Sequence, residues 1–596
     1  MADERACPVV EAFEARVDEH PDRPALVRDG DVVTFGELDA LANGIARELL
    51  ARRGGASEPV ALTIRDPGRM LAAMLGVLKA GKHYVPVNPG HPPARREAVL
   101  AQVRARLALT DGAEAAEAGG VELADVRGWR PAARAAWPRV EPTSAAYVLF
   151  TSGSTGAPKG ISHNRLDMWH NVGRHAALAI GPRDRVSLIT PDGFVAAVSN
   201  VYIALLNGAA VAPYAVHEGG LDELVPWLRR CEVTVFYAFP SFLRQAVAVG
   251  CDPAPRVRLV YLGGETVHAS DVSAARILAP SATVAVGLNS TETGLTRLKL
   301  IPPGAPVPDP VPVGGPVPGV DVVVLDGEKP AAPGVVGEIV VRSRRVAPSL
   351  VEDGSFVPLT RALGREEDAV RELRTGDRGR MDADGELIHA GRSDGMVKVR
   401  GFRIELGEVE AALAGLPEVS EAVVVPYETD GVAVELSAHV VPAGGGVTPT
   451  AVRQRLAQVL PAPSVPSRIW VESSLPRTHN GKVDRAALPR LAASRLAGNG
   501  DALAAAREPA PAGGDGVDRR LTELWCETLG LHAATPASDF FDEGGTSMTA
   551  LRLVSSVRRE FDVPLRLAVV FETPTLHALI DSVSALLPDG ERPGRD

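Results

Sequence analysis

Cysteine, aromatic residues and long apolar runs are scarce in this 596-residue chain, and each scarcity excludes a class of protein. Four cysteines without a Cys-x-x-Cys pair exclude a disulfide framework and a cysteine-rich metal site, and they indicate a reducing, cytoplasmic compartment. No run approaches 18 apolar residues and the N-terminus is acidic, so we expect neither a membrane span nor a secretory signal. The formal charge of −11 and the lack of a basic run with aromatics argue against nucleic-acid binding.

Lysine is also scarce, since only 7 of the 63 basic residues are lysines. Three of them, Lys159, Lys398 and Lys482, nevertheless lie in segments that look like motifs. An ammonium group is a compact point charge, whereas a guanidinium is a planar fork. Because arginine is used nearly everywhere else, we infer that the chemistry requires an ammonium at these positions.

Residues 151–160 read TSGSTGAPKG and directly follow the apolar run 145–150. Glycines let backbone N–H groups converge on an anion, hydroxyls add neutral donors and lysine adds a positive charge. The segment, which we call the phosphate loop, therefore predicts phosphate binding after a strand; its spacing is not that of a Walker loop, and a flexible surface linker is the alternative. The predicted nucleotide-binding residues of this loop are Thr151, Ser152, Gly153, Ser154, Thr155, Gly156 and Lys159.

Apolar periodicity divides the chain into regions of different type. Up to about residue 390, helical stretches alternate with short β-branched runs, which predicts an α/β region with mixed sheets. A more compact α+β pattern follows, then a stretch rich in alanine, glycine and proline that is typical of a linker. We therefore predict an α/β multidomain protein with a large core at 1–392, a small α+β lid at 393–490, a linker at 491–516, a helical bundle at 517–585 and a tail at 586–596.

The predicted bundle contains three apolar stripes at the 3–4 spacing of helices. The loop at 538–547 lies between the first two stripes and ends in Ser547 at the start of a helix. A serine in this position is often only an N-cap, which is the simplest interpretation of the loop taken alone.

Five further segments occur in a fixed order along the chain: 78–87, 290–293, 374–377, 391–408 and 480–485. Together with the phosphate loop they closely resemble the adenylate-forming enzymes, specifically an adenylation domain of nonribosomal peptide synthetases followed by a peptidyl carrier domain. The resemblance covers about residues 10–585. It implies an ATP-dependent, AMP-forming ligase of natural-product (antibiotic) biosynthesis that loads an acid onto its own carrier domain.

The resemblance also implies roles for residues of the nucleotide site. Lys482 would bridge the substrate carboxylate and the α-phosphate in the transition state, where two anions are forced together. Thr291 would contact phosphate, and Glu292 would be the Mg²⁺ ligand. Asp377 would accept hydrogen bonds from both ribose hydroxyls, and Arg392 would touch the ribose.

Two further residues are implied to act in the second half-reaction. Asp394 matches the hinge about which the lid turns, and Ser547 matches the serine that receives 4′-phosphopantetheine from a separate phosphopantetheinyl transferase. The acyl group would then pass to a condensation or acyl-transfer enzyme in trans, and dependence on a small activator protein stays open. A ligase that charges free coenzyme A and a catalytically silent scaffold are the alternatives.

The substrate pocket departs from the family. Its amino-acid-activating members hold the α-ammonium with an aspartate thirteen positions before the glycine of a Leu-Leu-x-Gly-Ala segment; here that segment is 205–209 and the count leads to Val195. An apolar side chain cannot compensate a buried ammonium, so we expect an aryl, 2-hydroxy, 2-oxo or β-amino acid. A three-residue slip would place Asp192 there and restore a standard α-amino acid. The predicted pocket comprises Val195, Ala196, Ser199, Tyr237, Tyr261, Gly263, Gly287, Leu295 and Thr296.

Overall fold

The computed structural model of the chain contains two compact units. The first comprises Met1–Tyr214, Trp227–Leu243 and Asp252–Met396, and the second comprises Ala215–Pro226, Arg244–Cys251 and Val397–Asp596. No helix among the described residues is long and apolar enough to cross a bilayer. The described residues are 9–28, 30–112, 121–151, 158–189, 195–248, 250, 252–346, 348–363, 370–392, 395–399, 402–429, 433–444, 447–477, 483–485, 487–488, 516–531, 533–543, 545 and 547–587.

The strands are mostly short, as expected for an α/β protein. In chain order they are β1 (Pro24–Arg28), β2 (Asp31–Thr34), β3 (Pro59–Thr63), β4 (His83–Pro86), β5 (Leu107–Thr110), β6 (Glu122–Asp125), β7 (Ala145–Thr151), β8 (Lys159–Asn164), β9 (Arg185–Leu188), β10 (Ala210–Pro213), β11 (Val235–Ala238), β12 (Leu259–Gly263), β13 (Thr283–Ser290), β14 (Gly294–Ile301), β15 (Gly315–Pro316), β16 (Asp321–Asp326), β17 (Lys329–Pro330), β18 (Gly337–Ser343), β19 (Ser349–Glu352), β20 (Ser355–Pro358), β21 (Arg361–Ala362), β22 (Arg371–Met381), β23 (Leu387–Arg392), β24 (Met396–Val399), β25 (Phe402–Glu405), β26 (Val419–Thr429), β27 (Ala433–Pro442) and β28 (Arg468–Val471).

The α-helices alternate with these strands through the first unit and dominate the C-terminal part of the second. They are α1 (Val9–Glu19), α2 (Phe35–Arg53), α3 (Pro67–Lys79), α4 (Pro93–Gln102), α5 (Arg165–Arg174), α6 (Val195–Leu206), α7 (Val216–Gly219), α8 (Leu224–Arg230), α9 (Pro240–Ala248), α10 (Ala269–Leu278), α11 (Leu406–Ala414), α12 (Pro449–Ala457), α13 (Gly516–Leu529), α14 (Ser547–Phe561), α15 (Ala568–Glu572) and α16 (Leu576–Leu586).

Among its described residues the first unit contains three sheets, of which two are mixed and the third is antiparallel. A nine-stranded sheet has the order β15-β14-β13-β12-β11-β9-β10-β1-β2, and an eight-stranded sheet has the order β20-β19-β8-β7-β4-β3-β5-β6. In the nine-stranded sheet the inner pairs are parallel, and the pairs at both edges, such as β1 with β2 and β13 with β14, are antiparallel. In the eight-stranded sheet the pairs from β7 to β6 are parallel, and those from β20 to β7 are antiparallel. The third sheet runs β17-β16-β18-β22-β21, with β23 paired to β22. The predicted α/β architecture with mixed sheets is confirmed.

Local sequence explains where the helices begin. Thr34 caps α2 by accepting from the Glu37 amide, and the Glu37 carboxylate accepts from the Thr34 amide in return, which satisfies two donors that the first turn leaves unpaired. Asp66 caps α3 by accepting from the Arg69 amide, and Pro67 occupies the first helical position, where its missing N–H costs nothing.

Two of the scarce lysines serve the interior of the first unit. The ammonium of Lys79 is fully buried, lies 2.6 Å from Asp39 and is also paired with Glu14. Lys82 is likewise fully buried, 3.0 Å from the Glu58 carboxylate. A buried ammonium is stable only when paired and hydrogen-bonded, so these two lysines are structural.

The second unit contains the predicted lid and bundle. In the lid, β26, β27 and β28 form one sheet whose apolar face packs against α11 and α12. In the bundle, the three predicted stripes lie on α13, α14 and α16, and the structure adds the short α15. Trp525 anchors this core, with its ring edge-on to Phe540 at 5.2 Å and its indole N–H bonded to Glu543.

Candidate active site

The phosphate loop connects the antiparallel strands β7 and β8 of the eight-stranded sheet. Thr151 and Lys159 are directly paired across the two strands, and the Thr151 hydroxyl donates to the Lys159 carbonyl at 3.4 Å. Gly160 lies against Phe150 and Val351 so closely that a side chain there would force both to move. The predicted loop residues between these ends, Ser152 to Gly156, lie outside the described residues.

Thr291 and Glu292 lie in the tight connection between β13 and β14. The Ser290 hydroxyl accepts from the Thr293 amide at 3.2 Å, which closes the turn. Gly294 has φ +65, and a side chain there would collide with the Asn171 amide, so the turn requires glycine at this position. The Glu292 side chain is buried, and this fixed turn therefore defines where its carboxylate stands.

Two buried side chains donate hydrogen bonds to the backbone carbonyls on either side of Glu292. His163 Nε2 donates to the Thr291 carbonyl at 2.7 Å, and Arg174 Nη1 donates to the Thr293 carbonyl at 2.7 Å. Burial lowers the pKa of Arg174 to about 10, which leaves it protonated at neutral pH. We call His163 and Arg174 the carbonyl clamp. Neither residue was predicted, because neither belongs to a recognisable sequence motif. Each is a single histidine or arginine on an element that follows the phosphate loop.

The predicted ribose residues are adjacent. Asp377 on β22 is paired in register with Arg392 on β23, and the Arg392 guanidinium donates to the Asp377 carboxylate at 2.6 Å. His389 is an unpredicted third member, with Nε2 at 3.5 Å from the same carboxylate. A carboxylate offers about four lone-pair sites, so Asp377 can accept from Arg392 and still accept from ligand hydroxyls.

The described pocket residues lie at adjoining positions of the nine-stranded sheet and α6. The rings of Tyr237 on β11 and Tyr261 on β12 are 4.6 Å apart, and a side chain on Gly287 would collide with the Tyr261 hydroxyl. Asn171 links two further pocket residues, because it donates to the Ser199 hydroxyl at 2.8 Å and accepts from the Leu295 amide at 3.1 Å. Two more members lie on the same strands: Gly263 ends β12 and Thr296 donates to the Leu288 carbonyl.

Both pocket tyrosine hydroxyls are buried and make no hydrogen bond within the described part of the chain. Burial raises the pKa of Tyr237 and of Tyr261 well above the usual tyrosine value, so both stay neutral. An unpaired buried hydroxyl costs free energy. The pair is therefore a ready partner for a polar group of a ligand.

Six further predicted residues are described by their backbone alone or lie outside the described residues. Val195 and Ala196 begin α6 and Ser547 begins α14, but only the backbone of these three positions is described. Asp192, Asp394 and Lys482 lie outside the described residues altogether.

The described residues suit a magnesium nucleotide. They contain no group of three or more His, Cys, Asp or Glu side chains that could hold a metal ion by themselves. Mg²⁺ is commonly held by one or two carboxylates together with substrate phosphates, and it prefers hard oxygen ligands. The buried carboxylate of Glu292 fits that mode of binding.

Comparison with known families assigns three segments. Residues 13–350 match the AMP-binding enzyme family, 408–482 match the AMP-binding enzyme C-terminal domain, and 519–583 match the phosphopantetheine attachment site. The first of these covers more than half of the chain.

Relatives of this chain include synthetases that are longer than it. The chain is 34% identical over 95% of its length to phosphinothricin tripeptide synthetase PhsC of Streptomyces viridochromogenes, and 33% identical over 96% to CymA of Salinispora arenicola, a probable non-canonical nonribosomal peptide synthetase. It spans 52% of the length of PhsC and 7% of CymA.

A solved structure matches nearly the whole chain. Holo-PA1221, described as a nonribosomal peptide synthetase protein with adenylation and PCP domains, superposes with a TM-score of 0.80 at 27% identity, covering 99% of both chains. AMP-binding enzymes of this kind use ATP, and a phosphopantetheine attachment domain carries its cofactor covalently. The chain therefore belongs to the AMP-binding enzyme family of ATP-dependent, AMP-forming ligases, with the nonribosomal peptide synthetase order of an adenylation domain followed by a phosphopantetheine attachment domain.

Proposed function

We propose that this protein activates a carboxylic acid as an acyl-adenylate and loads it onto its own carrier domain. The observation that carries the proposal is the presence, on one chain, of an AMP-binding region at 13–350 and a phosphopantetheine attachment region at 519–583. In the first half-reaction a carboxylate oxygen of the acid attacks the α-phosphorus of ATP, and the bond to the leaving pyrophosphate breaks. In the second, the pantetheine sulfur attacks the acyl carbon and AMP leaves.

The proposed roles follow from charge. Two anionic groups, the carboxylate and the α-phosphate, meet in the first step, so Lys482 supplies a cation between them, and Glu292 would hold the Mg²⁺ that ATP brings. Asp377, with Arg392 beside it, orients the ribose. The phosphate loop binds pyrophosphate as it leaves. Asp394 is the hinge between the core at 1–392 and the lid.

The carbonyl clamp is proposed to position Glu292 for Mg²⁺. His163→Leu removes the donor to the Thr291 carbonyl, and we expect the rate of adenylate formation to fall by about 10- to 100-fold, because a small misplacement of a catalytic group is costly. The Mg²⁺ concentration for half-maximal pyrophosphate exchange should rise as well, which a general loss of folded protein would not cause.

His163→Gln is the matched control, because its amide N–H can still donate to the carbonyl. We expect it to recover most of the exchange rate and the normal Mg²⁺ requirement. A normal Mg²⁺ requirement in His163→Leu would exclude this positioning role.

The proposed substrate is a carboxylic acid without an α-amino group, of the aryl, 2-hydroxy, 2-oxo or β-amino class. The seven pocket residues from Ser199 to Thr296 are serine, tyrosine, glycine, leucine and threonine, so none supplies a negative charge to an ammonium. Burying an unpaired ammonium costs several kcal/mol, about a thousandfold in affinity or more. The unpartnered hydroxyls of Tyr237 and Tyr261 favour an acid with a distal polar group.

Pyrophosphate exchange over a panel of amino, hydroxy, oxo and aryl acids tests this substrate class. We expect exchange with members that lack an α-amino group and none with standard L-amino acids. Exchange driven by a standard L-amino acid and lost in Asp192→Ala would support the alternative in which Asp192 holds the ammonium.

Substitution of a pocket tyrosine provides a second test, which measures the KM for the acid that the panel selects. Tyr261→Phe should raise its KM by about 3- to 10-fold, the value of one net hydrogen bond, with little change in kcat. Tyr202→Phe, which removes a buried hydroxyl of α6 that is not among the predicted pocket residues, is the matched control. Equal effects of both changes would remove the hydroxyl from substrate recognition.

The proposed partners follow from the carrier domain. A phosphopantetheinyl transferase must modify Ser547, and a condensation or acyl-transfer enzyme must accept the thioester. Dependence on a small activator protein is tested by comparing the exchange activity of the protein expressed alone and with candidate activators.

A further inference from the structure

Within the part of the chain that the structure describes, residues 539–542 of the helical bundle form hydrogen bonds and ion pairs with the lid, and this short loop ends five positions before Ser547. We propose that two arginines of the lid, Arg453 on α12 and Arg468 on β28, form a docking site for this loop that serves thioester formation and not adenylate formation. The inference rests on the proposed function, because it assigns a surface to its second half-reaction. We call residues 539–542 the docking loop.

Arg453 contacts the side chains of three residues of the docking loop. Its guanidinium lies 3.8 Å from the Asp539 carboxylate and 3.5 Å from the Asp542 carboxylate, and its central carbon lies 4.7 Å over the ring of Phe541. A planar guanidinium suits this combination of carboxylates and an aromatic face, whereas an ammonium would not.

Further contacts flank Arg453. Arg468 donates from Nη1 to the backbone carbonyl of Phe541, with the Asp542 carbonyl at 3.5 Å, and the Thr450 hydroxyl donates to the Asp539 carboxylate at 3.0 Å. These bonds recognise the backbone as well as the side chains, so the lid binds the loop in a defined conformation.

The docking loop holds its shape through contacts inside the bundle. Asp539 accepts from the backbone N–H groups of Phe541 and Asp542 at 2.9 and 3.1 Å, which closes an Asx-type turn. The Phe541 ring packs 5.4 Å from Phe540 and 5.3 Å from Phe571. Because the loop is preorganised, little conformational entropy is lost when it docks.

The burial of Arg453 indicates that its charge is compensated by the docking loop. Only 6% of the residue is exposed, and both ion pairs recorded for it among the described residues are to the docking loop. Burial lowers the pKa of Arg453, and burial together with the neighbouring Asp539 raises the pKa of Asp542. A buried cation needs compensating charge, so the lid surface around Arg453 is complementary to an acidic loop.

The test uses the full-length holo protein and the acid selected by the exchange panel. In Arg453→Glu we expect single-turnover transfer of the radiolabelled acyl group to the carrier to slow by about 10-fold or more, because two carboxylates would face a third. Pyrophosphate exchange should stay within about twofold of wild type, because adenylate formation does not require docking. The transfer rate of the wild type should also fall with added salt, since Asp542 is partly exposed.

Two controls make the result decisive. Arg455→Glu reverses a charge two residues along α12, where the native arginine pairs with Glu418 inside the lid, and it should leave transfer unchanged. Arg453→Glu combined with Asp542→Lys restores opposite charges and should recover much of the transfer rate. Asp542 is the residue to exchange, because Asp539 closes its own turn.

Amide hydrogen exchange of the same proteins reports docking without substrate. We expect faster exchange at 449–457 and 539–543 in Arg453→Glu than in wild type or Arg455→Glu. Normal transfer in Arg453→Glu, or a loss of both half-reactions that Asp542→Lys does not restore, would overturn the docking proposal. Absence of exchange activity in the wild type over the whole panel would instead count against the proposed function.

Discussion

Ser547→Ala is expected to abolish acyl transfer to the protein while pyrophosphate exchange continues at the wild-type rate. The alanine protein cannot receive 4′-phosphopantetheine, so no thiol is present to attack the acyl-adenylate, and a serine hydroxyl is too weak a nucleophile to replace it. The measurement is incorporation of radiolabelled acid after treatment with a phosphopantetheinyl transferase and coenzyme A, with the arm followed by mass spectrometry.

Ser556→Ala is the matched control, because it makes the same chemical change within the same helix, α14. It should acquire the pantetheine arm and accept the acyl group as the wild type does. Acyl label on Ser547→Ala protein would contradict the assignment. Formation of acyl-coenzyme A by Ser547→Ala at the wild-type loading rate would support the alternative in which the enzyme charges free coenzyme A.

Lys482→Ala is expected to lower adenylate formation by about 10²- to 10³-fold. The attacking carboxylate and the α-phosphate repel each other, and an ammonium placed between them stabilises the charge that develops in the transition state far more than it stabilises the separate substrates. The expected signature is a fall in kcat for pyrophosphate exchange with a smaller change in the KM for ATP, because the phosphate loop, Glu292 and Asp377 still bind the nucleotide.

Two comparisons isolate the effect of Lys482. Lys329→Ala removes an exposed lysine of β17 and should leave exchange unchanged. Supplying chemically synthesised acyl-adenylate should restore loading of the carrier in Lys482→Ala, because the second half-reaction begins after the two anions have already been joined. Exchange within about threefold of wild type in Lys482→Ala would remove this lysine from the transition state.

The elements that sequence patterns predicted best are those whose signal is local. A continuous apolar run predicts a strand at 145–150, and the structure has β7 there. Periodicity at 3–4 spacing predicts α13, α14 and α16, because each of these helices buries one stripe. The short α15 has only five residues, too few for a periodic pattern to be recognised.

The contacts that sequence patterns did not predict join distant residues. The bond from His163 to the Thr291 carbonyl spans 128 positions, and the one from Arg174 to the Thr293 carbonyl spans 119. A histidine or arginine of this kind has no spacing rule in sequence, because its partner is a backbone carbonyl that every residue type provides. The Arg453 docking contact has no signal in the sequence either, since nothing in the sequence of α12 distinguishes Arg453 from Arg455.

By itself, the sequence determined the order of the regions, the α/β character of the core and the residues expected to carry charge, because glycines, hydroxyls and rare lysines have chemical meaning at their own positions. Only the tertiary structure decided which side chains hold Glu292 in place, that Arg392 is paired with Asp377, and which lid arginine meets the docking loop. These are consequences of packing, in which burial forces each polar group to find a partner wherever the fold brings one within reach.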